Sequence, residues 1–219
     1  MNKTKGLFFT ASLVLAITFT ISCEDKEAKG KPATVADTAT PATPPTFTDS
    51  RDGKTYKKVV IGSQTWMAEN LNFAAEGSKC YEDKPENCEK YGRLYDWETA
   101  KKSCPNGWHL PSCQEYNALF DAVGGNEVAG KKLKAKNGWN DKDGKSGNGT
   151  DEFGFSALPG GYNNGAGVGI SGTWSSTCDI ENEYGGTEVV CTNMYYSYEG
   201  IGDASYGTGY LVSVRCIQN

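Results

Sequence analysis

The clearest structural signals in the chain lie in Tyr91–Val123, which reads YGRLYDWETAKKSCPNGWHLPSCQEYNALFDAV. Within it, Asp96–Ser103 predicts a short helix, because a proline and a glycine follow soon after. Ser112 and Glu115 then have the S-x-x-E spacing of a capping box, in which each side chain accepts a hydrogen bond from a free backbone N–H. Apolar residues continue at helical spacing on one face: Tyr116, Leu119, Phe120 and Val123. We therefore predict two helices here, joined by an extended segment.

Outward from this stretch, the sequence favours short strands. The 219-residue chain has 27 glycines and 11% aromatic residues, which is typical of many strands and turns with few helices. A hairpin is predicted from Lys54–Ile61 and Gln64–Met67, and further strands from Glu188–Tyr198 and Tyr210–Ile217. In the last strand, alternation places four residues on one face: Tyr210, Val212, Val214 and Cys216. We expect an α+β domain with short antiparallel strands, two helices, long loops and disulfides.

The first residues, Met1–Ser22, are predicted to be a targeting segment. Lys3 and Lys5 precede an apolar run of about 15 residues, shorter than the ~20 that a membrane-spanning helix needs. The run ends at Cys23 in a way that resembles the cleavage site of bacterial lipoproteins, where the cysteine becomes the acylated first residue. The alternative is an ordinary secretory signal cut nearby. We favour lipidation because the next segment has the composition of a tether.

That next segment, Glu24–Thr48, is predicted to be a disordered linker because it is rich in Pro, Thr and Ala and poor in large apolar residues. By length, Asp49–Asn219 is then one domain. Of the chain's 22 basic and 27 acidic residues, 5 and 4 precede Asp49, so the domain has 17 and 23 and a formal charge of −6. This charge argues against nucleic acid as a partner. We expect an exported protein held at the outer membrane or cell surface by its lipid.

Several motifs resemble one known family. Besides the opening stretch they are DGKTY at Asp52–Tyr56, IGSQTWMAENL at Ile61–Leu71, GFSALPGG at Gly154–Gly161, WSST at Trp174–Thr177 and SVRC at Ser213–Cys216. Together they resemble the Fibrobacter succinogenes major paralogous domain over nearly everything from Asp49 to the C-terminus. The resemblance implies a secreted or surface-anchored bacterial protein without an established activity. It also implies a distant similarity to the C-type-lectin-like and formylglycine-generating-enzyme fold.

Eight cysteines in an exported chain imply disulfides, and acylation of Cys23 would leave seven. Cys80 and Cys88 flank a turn-forming loop and suit a local bridge. Cys178 and Cys191 are predicted to close a second loop in the same way. The sequence alone does not determine this connectivity, so the pairing is an inference.

A long-range bridge in lectin-like folds ties a helix to the last strand, and the resemblance implies Cys104 and Cys216 for that role. Cys113 is then left over, at a position where relatives usually carry another residue. One interpretation is a reactive thiol or an intermolecular bridge, since a helix N-terminus activates a thiol. The interpretation that we favour is a small buried residue on the same helix face as Tyr116 and Phe120.

A calcium site is a candidate in the polar loop that follows residue 136. Asp141, Asp143 and Glu152 occupy places 1, 3 and 12 of an EF-hand count, and clustered oxygen ligands suit calcium. Lys145 stands where that motif needs a ligand, so the EF-hand itself fails. A different calcium loop would use four acidic residues: Asp141, Asp143, Asp151 and Glu152. The alternative, which we favour, is a solvated acidic loop.

A sugar-binding site is predicted from aromatic and amide residues in loops. Aromatic rings stack on the apolar faces of sugars with little loss of entropy, while amides bond the hydroxyls. The candidates are Trp139, Asn140, Tyr162 and Asn163. Trp174 is interpreted as a core residue instead.

Catalytic machinery is not evident in the sequence. His109 is the only histidine, and we interpret it as structural because a triad would need a serine and an acid beside it. A formylglycine-generating activity would need a closely spaced cysteine pair in the C-terminal part, and Cys191 has no such neighbour. The two carboxylates of a glycoside hydrolase are close in space but need not be near each other in sequence, so nothing in the sequence singles out such a pair.

We therefore expect a surface lipoprotein whose domain binds a glycan, a polysaccharide or a surface protein without turning it over. Two alternatives stay open: a structural module for protein–protein adhesion, and a hydrolase acting on polysaccharide. Calcium is the candidate cofactor.

Overall fold

The computed structural model describes residues 44–163, 165 and 167–219. The predicted targeting segment, the lipidation residue Cys23 and most of the predicted linker lie outside these residues. The last residues of that linker, Thr46–Thr48, form strand β1, so the linker prediction extended too far. The reason is that Thr46–Thr48 pairs antiparallel with residues 55–57 of the next strand, and the Phe47 ring stacks on Tyr56 and Trp108.

The described residues form ten strands and four α-helices. The strands are β1 Thr46–Thr48, β2 Thr55–Ile61, β3 Gln64–Met67, β4 Leu94–Tyr95, β5 Trp108–His109, β6 Ser171–Glu181, β7 Thr187–Tyr195, β8 Gly202–Gly207, β9 Val212–Ser213 and β10 Ile217–Gln218. The helices are α1 Pro85–Tyr91, α2 Trp97–Ser103, α3 Cys113–Ala122 and α4 Asn126–Leu133. The α+β class is confirmed, but two of the four helices were not predicted.

The first sheet has the strand order β1-β2-β3-β10-β5. Its β2–β3 hairpin is the predicted one, with Ile61 opposite Gln64 across a turn in which Gly62 has a φ of 60°. Glycine adopts this left-handed backbone conformation without steric cost, which explains its place in the turn.

The second sheet has the order β4-β9-β6-β7-β8. Its pairs are antiparallel except β6 with β9, which run parallel where Trp174 meets Ser213. The long β6–β7 hairpin carries exposed apolar residues near its end, including Tyr184. The sequence predicted β7 but neither of its partners, because β6 and β8 are rich in small and polar residues.

The predicted last strand, Tyr210–Ile217, is broken into β9 and β10. Between them, Val214–Cys216 passes from the second sheet to the first and is buried throughout. Its backbone is held by the end of β3 and the segment after it, with Met67 N donating to Cys216 O at 3.0 Å and Leu71 N to Val214 O at 2.8 Å. The prediction of one face was wrong because a crossing segment is covered on both sides.

Helices α2 and α3 begin as predicted. The Asp96 side chain caps α2 by accepting from Thr99 N, and Ser112 and Glu115 form the complete capping box of α3. Helix α1 lies where the sequence predicts only a turn-forming loop, although Pro85 at its first position is a favoured place for proline. Helix α4 is short and follows directly after the glycines that end α3.

Three disulfides join described cysteines: Cys80–Cys88, Cys104–Cys216 and Cys113–Cys178. The predicted bridge between Cys178 and Cys191 is therefore wrong, and so are both interpretations of Cys113. In the β6–β7 pairing Cys191 lies opposite Ser175, and the register shifts before Asp179, so Cys178 has no cysteine across from it. The N-terminus of α3 instead brings Cys113 to a Cα–Cα distance of 6.0 Å from Cys178. Cys191 is a buried free thiol.

The core contains a buried cation. Arg215 is 0% exposed, and its Nη2 donates to Asn70 Oδ1 at 2.8 Å while Nη1 donates to Phe155 O. The same Asn70 oxygen accepts from Trp174 Nε1 at 2.8 Å, which confirms Trp174 as a core residue. No carboxylate in the described part of the chain forms an ion pair with Arg215. Burial lowers the pKa of Arg215 to about 10.

Among the described residues, no helix combines the length and the apolar character that a membrane span requires.

Candidate functional site

A surface cleft of about 480 Å³ is the candidate functional site, and we call it the tyrosine cleft. One wall comes from the Cys80–Cys88 loop and the other from the loop that leads toward β6. Its principal lining side chains are Lys79, Tyr81, Glu82, Asp83, Tyr162 and Asn163. Two of the four predicted sugar-binding residues, Tyr162 and Asn163, therefore line one cleft.

The first wall has a constrained backbone. Glu82 and Asp83 both have a φ of 55°, the left-handed region that non-glycine residues rarely adopt. The Cys80–Cys88 disulfide closes this loop, and Asp83 N donates to Cys80 O at 3.0 Å. On the far side Asn87 Nδ2 donates to Tyr81 O at 2.9 Å. Strained residues held in this way cluster at binding sites, because strain persists only where the surroundings impose it.

The second wall is held by the strand end before β9. Asn163 N donates to Leu211 O at 3.2 Å, and the Asn163 Oδ1 accepts from Leu211 N. The Tyr162 ring lies 5.1 Å from the Tyr206 ring, centroid to centroid, and is half-buried against it. The Asn163 carbonyl is thus engaged, whereas its amide N–H groups have no partner among the described residues and can serve a ligand.

The chemistry of the tyrosine cleft is that of recognition. It offers two phenol rings, one amide, two carboxylates and one ammonium group. Glu82 Oε2 forms an exposed ion pair with Lys84 Nζ at 2.7 Å, and such an exposed pair restrains the Glu82 carboxylate only weakly. Such a mixture of flat apolar surfaces and hydrogen-bonding groups suits a polyhydroxylated ligand.

The other two predicted sugar-binding residues do not join this cleft. Trp139 is only 4% exposed, and its Nε1 donates to Ala157 O at 3.0 Å inside the core. The prediction of Trp139 as a stacking residue was wrong, because its ring packs with the α3–α4 core. Asn140 is exposed, with its backbone N donating to Gly169 O, and it lies outside the lining of the cleft.

The four candidate calcium ligands are not brought together. Asp141 and Asp143 are exposed, and Asp151 accepts from both the backbone N and Oγ of Ser156. Glu152 accepts from Thr150 Oγ1 at 3.0 Å. In the ranges that the structure describes, no three acidic, histidine or cysteine side chains form a metal-binding group. These four residues therefore do not form the candidate calcium site: they bind the loop's own backbone and hydroxyls or face solvent, in agreement with the favoured interpretation of a solvated acidic loop.

His109 lies between two polar side chains near the start of α3. Its Nε2 is 2.7 Å from Glu115 Oε1, and its Nδ1 is 2.6 Å from Asn219 Oδ1. Ser112 donates to Glu115 at 2.9 Å and not to the histidine, so no hydroxyl is placed for activation by His109. Burial raises the pKa of Glu115, but the hydrogen bonds from Ser112 and His109 outweigh it, so this pKa lies below its ordinary value. His109, Ser112 and Glu115 therefore form a cap that stabilises the N-terminus of α3.

Fold and site together define a disulfide-bonded α+β domain with a polar, aromatic surface cleft. The chain belongs to the Fibrobacter succinogenes major domain family, whose model matches residues 59–218. No curated protein matches the chain, and no solved structure matches it either.

Four of the motifs that carry the family resemblance meet in the core and contribute no lining residue to the cleft. Asn70, Phe155, Trp174 and Arg215 come from four of these motifs and form the buried arginine network. Sequence reasoning missed the cleft residues Tyr81, Glu82 and Asp83. The available signal was a tyrosine directly after Cys80 in a short disulfide loop, which keeps that ring at the surface.

Proposed function

We propose that this protein is a lipid-anchored carbohydrate-binding module on the cell surface, which binds a neutral glycan in the tyrosine cleft without cleaving it. The observation that carries the proposal is the pair of tyrosines, Tyr81 and Tyr162, lining one cleft beside unengaged polar groups. The lipid anchor at Cys23 and the lectin-like topology remain predictions from the sequence.

Binding is favoured because Tyr81 and Asn163 lie on backbone segments that are held in place before a ligand arrives. A disulfide closes the wall that carries Tyr81, and paired hydrogen bonds to Leu211 hold the wall that carries Asn163. A sugar therefore meets rings and donors that lose little conformational entropy on binding. The Asn163 amide and the Glu82 and Asp83 carboxylates suit sugar hydroxyls as donor and acceptors.

A glycan array with the full chain, its disulfides formed, tests the proposal. We expect binding to at least one neutral glycan, weakened about tenfold or more in Tyr81→Ala and in Tyr162→Ala, because a lost stacking partner costs roughly 1.4 kcal/mol or more. Tyr184→Ala is the matched control, since this tyrosine is 88% exposed and lies on the β6–β7 hairpin. Thermal melting of each variant separates lost binding from lost folding, which matters for Tyr162 because it packs on Tyr206.

The same samples discriminate the other function classes. Release of reducing sugar from a bound polysaccharide would show that the domain is a hydrolase and not a binding module. Absence of glycan binding, together with recovery of cross-linked surface proteins, would favour adhesion. Binding that survives both cleft substitutions would place the ligand elsewhere. We expect a chelator to leave glycan binding and the melting temperature unchanged, because the candidate calcium ligands are dispersed.

The anchor is tested by labelling cells with a fatty acid. We expect label on the wild-type chain and none on Cys23→Ser, which should be released from the membrane fraction.

A further inference from the structure

A second cavity, which we call the lysine cavity, has a volume of about 380 Å³ and shares no lining residue with the tyrosine cleft. It lies between α4, the loop that was a candidate for calcium, and the segment after β7. Its lining includes Lys131, Lys134, Lys142, Lys145, Tyr196 and Tyr198. Only two acidic residues, Asp143 and Glu199, are among the lining residues, so the cavity has a formal excess of two positive charges in a domain of charge −6.

Two of these lysines are held opposite each other by a tight turn. Lys142 N donates to Lys145 O, and Lys145 N donates to Lys142 O, both at 2.9 Å. Asp143 and Gly144 form the turn with φ values of 51° and 75°, which suits a two-residue hairpin. Like charges directly opposite in an antiparallel pair repel, and neither lysine has an ion-pair partner among the residues described. A bound anion would relieve this repulsion.

A third lysine is buried at the cavity. Lys134 is 2% exposed, and its Nζ donates to Tyr198 O at 2.9 Å and to Tyr195 O at 3.0 Å. These partners are neutral carbonyls, and the ring of Trp139 lies 5.0 Å from the ammonium group. Burial lowers the pKa of Lys134 to about 8, which reflects a cation that lacks a compensating charge.

The fourth lysine is only loosely neutralised. Lys131 Nζ donates to Asn148 O at 3.1 Å and lies 3.9 Å from the Glu199 carboxylate. The Glu199 side chain is 73% exposed, so this ion pair is weak and a ligand anion can compete with it.

We propose that the lysine cavity binds a uronate-containing oligosaccharide, with its carboxylates at the lysines and its sugar rings against Tyr196 and Tyr198. A small inorganic anion would use the charges but not the two tyrosines. A neutral sugar would contact the tyrosines but would not reduce the charge repulsion between Lys142 and Lys145. The ligand class that matches both features carries a carboxylate on a sugar ring.

The test is calorimetric titration of the full chain, its disulfides formed, with tetragalacturonate at low salt. We expect binding that weakens as salt is added, and a loss of about tenfold or more in the double variant Lys142→Gln/Lys145→Gln, because two charge-assisted contacts are removed. The matched control is Lys102→Gln/Lys136→Gln, which removes two exposed lysines outside the cavity and should leave binding unchanged. All four positions are exposed, so both variants are expected to fold.

Titrations with other ligands and variants test the ligand class and the location of the site separately. Cellotetraose binding as tightly as tetragalacturonate, or inorganic phosphate binding as tightly through the same lysines, would overturn the uronate assignment. Tetragalacturonate binding that is absent, or that is unchanged in Lys142→Gln/Lys145→Gln, would overturn the site. Retained tetragalacturonate binding in Tyr81→Ala supports a site separate from the tyrosine cleft, whatever becomes of the proposed neutral-glycan function.

Discussion

At the scale of single residues, Arg215 is the most demanding feature of the core, because its charge is buried against neutral acceptors. Lysine cannot reproduce the guanidinium fork that reaches both Asn70 and Phe155. We expect Arg215→Lys to lower the free energy of unfolding by roughly 2–4 kcal/mol, since buried acceptors are left unpaired. Urea unfolding measures this. Arg93→Lys, at a half-buried arginine bonded to Ser78, is the control and should cost less. Equal losses would contradict a special role for the buried network.

Lys134 predicts an unusual dependence of stability on pH. Its pKa is lowered from 10.5 to about 8, mainly by burial and to a lesser extent by the nearby Lys131, while Glu199 opposes the shift. Between these values the unfolded chain binds more protons than the folded chain, so this residue's contribution to stability rises with pH. The wild type should therefore gain stability relative to Lys134→Met between about pH 8 and about pH 10.5. A pH-independent difference in the free energy of unfolding would show that Lys134 is not perturbed.

At the scale of elements, the capping box of α3 can be tested through the titration of Glu115. Its folded-state pKa lies below the ordinary value, so its contribution is present above that value and is lost as pH falls through the folded-state pKa. We expect Glu115→Gln to cost about 1 kcal/mol near pH 7, a usual magnitude for a cap, and less near pH 3. Unfolding at the two pH values measures the change. Ser112→Ala, which keeps the carboxylate, is the companion variant and should also destabilise α3.

The elements that the sequence predicts well are those with complete local signals. Helix α3 has a cap, an apolar stripe and a stop, and the β2–β3 hairpin has a glycine where a left-handed residue is needed. Helix α4 lacks a side-chain cap, and β8 is a run of small and polar residues. These elements form because neighbouring elements cover them, and that cover cannot be derived from local spacing.

At the scale of the whole molecule, the pairing of the cysteines can be tested directly. Peptide mapping without reduction should recover Cys113 joined to Cys178, and Cys191 should react with an alkylating reagent only after unfolding, because it is 2% exposed. A peptide that joins Cys178 to Cys191 would restore the pairing expected from the sequence. Replacement of Cys191 by alanine is the control and should leave all three bridges in place.

The family, the α+β class, the two helices of the opening stretch and two of the residues that line the tyrosine cleft could all be predicted from the sequence. This was possible because motifs, caps and turns act over a few residues. Three findings could not be predicted in this way: Trp139 is buried, Cys113 is bonded to Cys178, and four lysines line one cavity. Those outcomes depend on which distant segments cover a side chain, and the free energy of burial is a property of that packing and not of the neighbouring residues in the chain.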